Sequence, residues 1–312
     1  MDVADRANVH PATVSHVLAG RQSARISEAT RARVLEAAQE LGYQPNMAAR
    51  ALAKGRTNVV AVQTPEFANP FFAEIMHRLM EISLESGYST VASVSHQEFG
   101  GLAAHVDGVI ALDYSPLNPS QSRLHGMIIL GVFAADECDV VEIDFRPAVR
   151  QAVARWAQKG LRRIAYLTGE DPLHDIDPRQ SEFLAAAADF GLSPEIITVR
   201  WNDIDSGRDG LAARLAQANP PQAVLARNDL LAFGAWTAGR EAGLRTPEDL
   251  AVLGCDGTRQ MSLVAPGLGT LRVPIQAACQ AAWDIFLLRR LDRETPIQRR
   301  TYAADLLPLQ TG

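Results

Sequence analysis

The 312-residue chain is rich in side chains able to do chemistry, but few are spaced for catalysis. No Ser stands in a G-x-S-x-G turn, no Lys follows a phosphate-cradling glycine loop, no His pair is set as H-E-x-x-H, and no G-x-G-x-x-G follows a strand. Carboxylates are numerous, yet no pairing sets one as acid and another as base. Cys138, Cys255 and Cys279 lie far apart, with neither C-x-x-C nor metal-ligand spacing, and read as reduced thiols. What remains is recognition chemistry, and its cations are gathered at one end. Residues 1–56 carry eight Lys and Arg (Arg6, Arg21, Arg25, Arg31, Arg33, Arg50, Lys54, Arg56) against five acids, a net of +3. The whole chain is −6, so the other residues carry −9. A basic head on an acidic body localises attraction for phosphate. The expectation is a non-enzymatic protein without cofactor or metal. No basic stretch leads into an apolar run at the start, and no apolar run could cross a bilayer, so a cytoplasmic protein without membrane partners is expected.

The head must be built from short helices. Residues 2–7 form one, and Asn8 suits a tight left-handed connection. Pro11 fits the first turn of the next, because its missing N–H would be unpaired there. Gly20 ends that helix. Ser27 is a good N-cap for a third helix, with Glu28 in its first turn, Val34, Ala38 and Leu41 on one face, and Gly42 as its end. Helices this small bury nothing alone, so the three must form one module. From Val59 the pattern changes. Short apolar runs at 59–62, 90–94, 108–112, 127–132, 140–143, 164–167, 196–199, 223–225 and 250–253 read as strands. Helical segments at 72–86, 148–158, 180–190, 207–217, 229–242 and 275–291 lie among them. Nearly all-apolar strands alternating with helices predict parallel sheets covered on both faces. So many strands exceed one compact sheet, which implies two subdomains. Ligands of such sheets bind beyond the carboxyl ends of the strands.

Several motifs occur in a fixed order. Asp2-Val3-Ala4-Asp5-Arg6-Ala7-Asn8-Val9 precedes Thr13-Val14-Ser15-His16-Val17-Leu18 and Gly42-Tyr43-Gln44-Pro45-Asn46, and Ala49-Arg50-Ala51-Leu52 follows. Then come Asn69-Pro70-Phe71-Phe72, Val106-Asp107-Gly108-Val109-Ile110, Asn228-Asp229 and Thr246-Pro247-Glu248-Asp249. This ordered set resembles the LacI family of bacterial repressors over essentially the whole chain. The resemblance implies an all-α helix-turn-helix head plus an α/β, periplasmic-binding-protein-like body of two parallel-sheet subdomains. It implies a DNA-binding domain at 1–45, a hinge at 46–57, and an effector-binding and dimerisation domain at 58–312. Within the last, one subdomain spans about 58–143 and 275–302, the other about 144–274 and 303–312.

The resemblance makes 11–18 the recognition helix in the major groove of double-stranded operator DNA. Pro11, Ala12 and His16 then face base edges, the first two by apolar contact only, while Thr13 and Ser15 lie near phosphates. In the hinge, Asn46, Ala49, Arg50, Leu52 and Ala53 match DNA-contacting positions. Leu52 matches a residue that, in a dimer, wedges into the minor groove. In the body, Arg179, Asn228 and Asp256 match effector positions, each at or beyond a strand's carboxyl end, and Phe71 or Phe72 could pack on the ligand's face. Such a set suits a sugar-like effector of a repressor, with a nucleobase effector or an activator role as the alternatives. A solute-binding transport protein would explain the body but leaves 1–56 without a role. The chain also departs from the family. His10 replaces the usual Ser cap, Gly131 replaces an Asp of sugar-sensing members, Gly257 replaces a second Asp, and Arg227 replaces a small residue. Trp201 stands one residue from an aromatic pocket position. About ten residues are missing between Ser95 and Val106, which shortens a helix of the dimer face.

Overall fold

The computed structural model describes residues 3–18, 26–43, 55–94, 105–113, 127–133, 138–170, 177–259, 263, 268–292 and 294–307. Two compact units, Met1–Thr57 and Asn58–Gly312, divide the chain. The hinge residues Asn46, Ala49, Arg50, Leu52 and Ala53, and most of the shortened stretch after Ser95, lie outside the described residues.

The head contains α1 (Val3–Ala7), α2 (Pro11–Leu18) and α3 (Glu28–Glu40). Asn8 takes φ 52°, the left-handed turn that its short polar side chain tolerates. Val3, Ala4, Ala7, Val14, Val17, Val34, Ala37 and Ala38 form one small core. The Ser27 side chain caps α3 by accepting from Thr30 N at 3.2 Å. Leu41, expected on the buried face, is 38% exposed. The helix stops at Glu40, so the apolar stripe ends before position 41, and Ala37 packs inside it.

The body holds β1 (Val59–Gln63), α4 (Pro70–Glu85), β2 (Ser89–Ser93), β3 (Gly108–Leu112), β4 (Met127–Gly131) and β5 (Asp139–Asp144). Next come α5 (Arg146–Gln158), β6 (Arg163–Gly169), α6 (Pro178–Asp189), β7 (Ser193–Val199), α7 (Ile204–Leu215), β8 (Ala223–Ala226) and α8 (Asp229–Glu241). Then follow β9 (Ala251–Asp256), β10 (Gly269–Arg272), α9 (Ile275–Leu291), β11 (Arg299–Ala303) and β12 (Asp305–Leu306). Among the described residues the strands make two six-stranded sheets, ordered β11-β5-β4-β3-β1-β2 and β12-β10-β9-β8-β6-β7. All pairs are parallel except β10 with β12. The chain passes between sheets after β5, after β10 and between β11 and β12.

Alternation explains the continuous apolar runs. In β6, Ile164 and Tyr166 join one core cluster while Ala165 and Leu167 join another, so both faces of the sheet are buried. In the first sheet, Ala61, Val109, Ala111, Ile129 and Val140 pack on the face opposite to that of Val60, Ile110 and Ile128. α9 carries Trp283 and Phe286 into that core beside Tyr88, and the Trp283 indole N–H donates to Ser86 Oγ at 2.9 Å. Arg289 ties α9 to β5 through Asp139, with Nε and Nη2 at 2.6 and 2.8 Å from its two carboxylate oxygens. All three cysteines are buried, and burial pushes the Cys279 thiol up to about 12, far from a reactive thiolate.

Candidate functional site

On α2 the side chains sort by face. Val14 and Val17 are buried, Pro11, Ala12, Ser15 and His16 are exposed, and Thr13 is half-buried. The five residues expected to meet DNA therefore all lie off the core. His10, a poorer cap by residue type, does cap the helix: its Nδ1 accepts from Ala12 N at 3.2 Å, and its carbonyl accepts from Thr13 N at 2.8 Å.

In the body, the strand ends that matter converge on one cavity. Asn69 accepts from Phe71 N at 3.0 Å and starts α4, which places Phe71 and Phe72 on the cavity wall with their ring centroids 5.4 Å apart. The first half adds Asp113 just past β3, Gly131 and Val132 at the end of β4, and Phe145 just past β5. The second half adds Arg179 from the first turn of α6 and Asp256, the last residue of β9. The space between these side chains, open solvent at its mouth included, is about 290 Å³. The fold thus brings together Phe71, Phe72, Arg179 and Asp256. Asn228 is not on this wall. Its Oδ1 caps α8 by accepting from Leu231 N at 2.8 Å, and its Nδ2 donates to the Asn202 carbonyl at 3.0 Å. Trp201 is also off the wall, 59% exposed, with the Arg200 guanidinium 5.0 Å from its ring.

Arg179 is 5% exposed. Its Nε and Nη2 donate to the Asp177 carboxylate at 2.9 and 2.8 Å, and its Nη1 donates to the Arg227 carbonyl at 3.0 Å. The guanidinium sits 5.3 Å from the Phe145 ring centroid. Asp177 also receives Arg227 Nε at 3.0 Å and caps α6 by accepting from Arg179 N at 2.8 Å. Burial alone would raise the Asp177 carboxyl, but Arg179 and then Arg227 hold it below its ordinary value. At Asp256 burial wins. With the charge of Asp229 it pushes the carboxyl well above the ordinary value, although Asp229 N donates to Oδ2 at 3.2 Å. Burial likewise raises Asp113 against the pull of Arg179 and Arg227. A ligand here meets a guanidinium, which only donates, and two carboxyl groups that burial holds above their ordinary values.

Residues 1–46 match the family model for bacterial regulatory proteins of the lacI family, and 153–308 match a periplasmic binding protein-like domain. The HTH-type transcriptional regulator CelR of Thermobifida fusca is 33% identical over 296 residues, covering 88% of this chain and 86% of CelR. The chain belongs to the LacI family. A solved CelR–cellobiose complex overlays with TM-score 0.71 at 27% identity, covering 99% of this chain and 98% of that one. The lac repressor dimer bound to operator and the anti-inducer ONPF overlays with TM-score 0.80 at 25% identity, covering 99% and 97%. As a LacI-family protein the chain is a DNA-binding transcription regulator under the control of a small effector, not an enzyme. No helix among the described residues is long and apolar enough to cross a membrane.

The glycines at 131 and 257 and the arginine at 227, expected as departures from the family pattern, have structural reasons. Gly257 has φ +78°, and a Cβ there would lie 2.5 Å from Arg272 Cγ and 2.6 Å from its Cα, so no Asp fits. Gly131, where an Asp of sugar-sensing members is expected, leaves no vacancy, because the Asp113 carboxylate fills the space. Arg227 is matched by Asp177. Residue type alone did not single out Asp113, Asp177 or Phe145. Phe145 and Asp113 follow strand ends, the one signal that could have found them.

The shifted carboxyl also predicts a pH effect. Native Asp256 keeps its proton where the unfolded chain, with the ordinary value of 3.8, has lost it. Stability therefore falls as pH rises from that value and levels off only once the native carboxyl ionises. Asp256→Asn, neutral at every pH, is expected to remove that share of the decline. Melting temperatures from pH 5 to 8 should fall less steeply in the variant; parallel curves would contradict the assignment.

Proposed function

We propose that this LacI-family regulator is a repressor of carbohydrate-related genes, acting in the cytoplasm as a homodimer on a palindromic operator. A sugar or sugar derivative, held between the two halves of the body, switches it. Residues 1–45 read DNA, 46–57 form the hinge, and 58–312 bind effector and partner subunit. The observation that carries the effector class is the division of the cavity. Phe71, Phe72 and Phe145 supply apolar surface, while Arg179 and Asp256 supply hydrogen-bonding groups beside it. Sugars present the matching pair of surfaces, C–H faces and hydroxyl edges. The cellobiose bound by CelR supports the same class. On the DNA side, the exposed Pro11, Ala12 and His16 suit base edges, and Ser15 with half-buried Thr13 suits phosphates.

Switching is a matter of linkage. An effector that prefers one arrangement of the two halves shifts the dimer toward or away from the hinge geometry that DNA requires. The test is a thermal-shift screen of sugars, sugar phosphates and nucleobases on the full-length protein, followed by footprinting on the upstream DNA with and without the hit. A sugar hit that alters the footprint is the expected result. Stabilisation by nucleobases alone would move the effector to the purine class, and equal binding to palindromic and random duplexes would refute the operator reading. Leu52→Ala is expected to weaken operator binding by roughly 10- to 100-fold, through loss of an apolar wedge, while effector affinity stays unchanged. Equal gel-shift titrations of variant and parent would refute the wedge.

A further inference from the structure

We propose that Asp113 is the selectivity-determining residue of the cavity, the carboxylate with which the first half of the body holds a hydroxyl of the effector. The inference rests on the sugar-effector reading above and names the residue that supplies polar contact on that side. Among the described residues the wall contributed by the first half is otherwise apolar: beside Asp113 stand Phe71, Phe72, Ile75, Leu130 and Ile143. A hydroxylated ligand lying between the halves would bury its groups unpaired on that wall unless Asp113 meets them.

Geometry shows why the carboxylate sits there. Leu112 pairs with Leu130 in the parallel register of β3 and β4, so Asp113 and Gly131 are neighbours across the sheet. A Cβ built on Gly131 would lie 2.1 Å from Asp113 Oδ1 and 2.8 Å from Asp113 Cα. A side chain at 131 and the carboxylate of 113 thus exclude one another, and the glycine is what admits Asp113 to the cavity.

The backbone adds an independent observation. Asp113 has φ 43° and Asp256 φ 149°, whereas the other non-glycine residues with positive φ among the described residues are Asn8, Asn58 and Asn219. Asn serves a left-handed position as well as Asp does. The local duty of Asp113, accepting from Val132 N at 2.8 Å through Oδ1, needs only an amide oxygen. The turn by itself therefore does not require a carboxyl group at this position. Both aspartates held at positive φ line that cavity, and conformations of this kind cluster at ligand clamps. From the opposite wall, Arg179 acts electrostatically on the Asp113 carboxyl, so a ligand bridging the two would couple the halves.

Three variants of the full-length protein test this: Asp113→Asn, Gly131→Asp, and the exchange Asp113→Gly with Gly131→Asp. The probe is whichever of D-ribose, D-glucose, cellobiose and lactose most raises the melting temperature of the parent, titrated calorimetrically together with its single-deoxy analogues. Asp113→Asn should melt no lower than the parent in the absence of sugar, bind it roughly 10- to 100-fold more weakly, and no longer distinguish one particular deoxy analogue. Gly131→Asp, forced against Asp113, should also lose binding. The exchange, which returns a single carboxylate to the same space, should recover most of it. Undiminished affinity and discrimination in Asp113→Asn would overturn the proposal while leaving the effector cavity standing. So would binding lost together with the sugar-free melting temperature and not recovered by the exchange. If none of the sugars stabilises the parent, the sugar reading falls and this inference with it.

Discussion

Arg179→Ala is expected to abolish the response to effector, leave operator binding in place, and lower stability by about 3 kcal/mol. The guanidinium is buried, holds Asp177 through two charge-assisted bonds, and reaches across to the Arg227 carbonyl. Its removal leaves Asp177 buried with Arg227 as its other charged partner at 3.0 Å, so the penalty for a stranded carboxylate is reduced but not cancelled. The side chain also forms part of the cavity wall, so the donors available to a ligand there are lost at the same time. Stability is read from urea unfolding, operator binding from gel shift, and response from footprinting with the sugar that stabilises the parent. Arg179→Lys separates the two roles, since it keeps the charge and loses the planar fork. It should recover much of the stability and little of the response. A response that survives in Arg179→Ala would remove the residue from the effector site.

The second large effect lies away from the site, where α7 and α8 meet backbone to backbone. A Cβ on Gly234 would stand 2.1 Å from the Ile204 carbonyl oxygen and 2.6 Å from Arg208 N. On the facing helix, one on Gly207 would stand 2.6 Å from the Leu231 carbonyl oxygen. These neighbours are main chain and cannot swing aside, so a side chain must separate the helices. Gly234→Ala gains about 1 kcal/mol of helix propensity, yet the forced separation outweighs it. A net loss of about 3 kcal/mol or more in urea unfolding is expected. Gly243→Ala is the control. Its Cβ would meet nothing within 4 Å, and its φ of +75° makes the cost purely conformational, about 1 kcal/mol. If Gly234→Ala unfolds like that control, the close approach of the two helices is wrong.

Much of the architecture was legible because it rests on short-range physics. Asn8 announced a left-handed turn, Pro11 and Ser27 the starts of α2 and α3, and the apolar runs a pair of sheets buried on both faces. The strands that escaped notice, β10, β11 and β12, are short, lie at or next to sheet edges, and in β11 expose alternate residues including Arg299. Such segments carry no continuous apolar signal, and the sheet recruits them through backbone pairing together with a few buried side chains such as Leu271 and Thr270. Leu41 shows the opposite error, a residue in phase with the apolar face but one position past the end of its helix.

At the cavity the division is sharper. That Arg179 and Asp256 would line a cavity beyond the strand ends could be read from their places beside strand ends and from the ordered motifs, since both are fixed by the order of elements along the chain. That Asn228 spends its amide on a cap, that Asp177 lies between two arginines, and that Asp113 stands where residue 131 has no side chain could not. Those facts depend on which strands become neighbours and in what register. The pairing of Leu112 with Leu130 joins positions 18 residues apart, and the Asp177–Arg227 pair joins positions 50 apart. A sequence states which groups must find partners, because burial of charge and of amide is costly wherever it occurs. Only the packed sheets decide which partner each one finds.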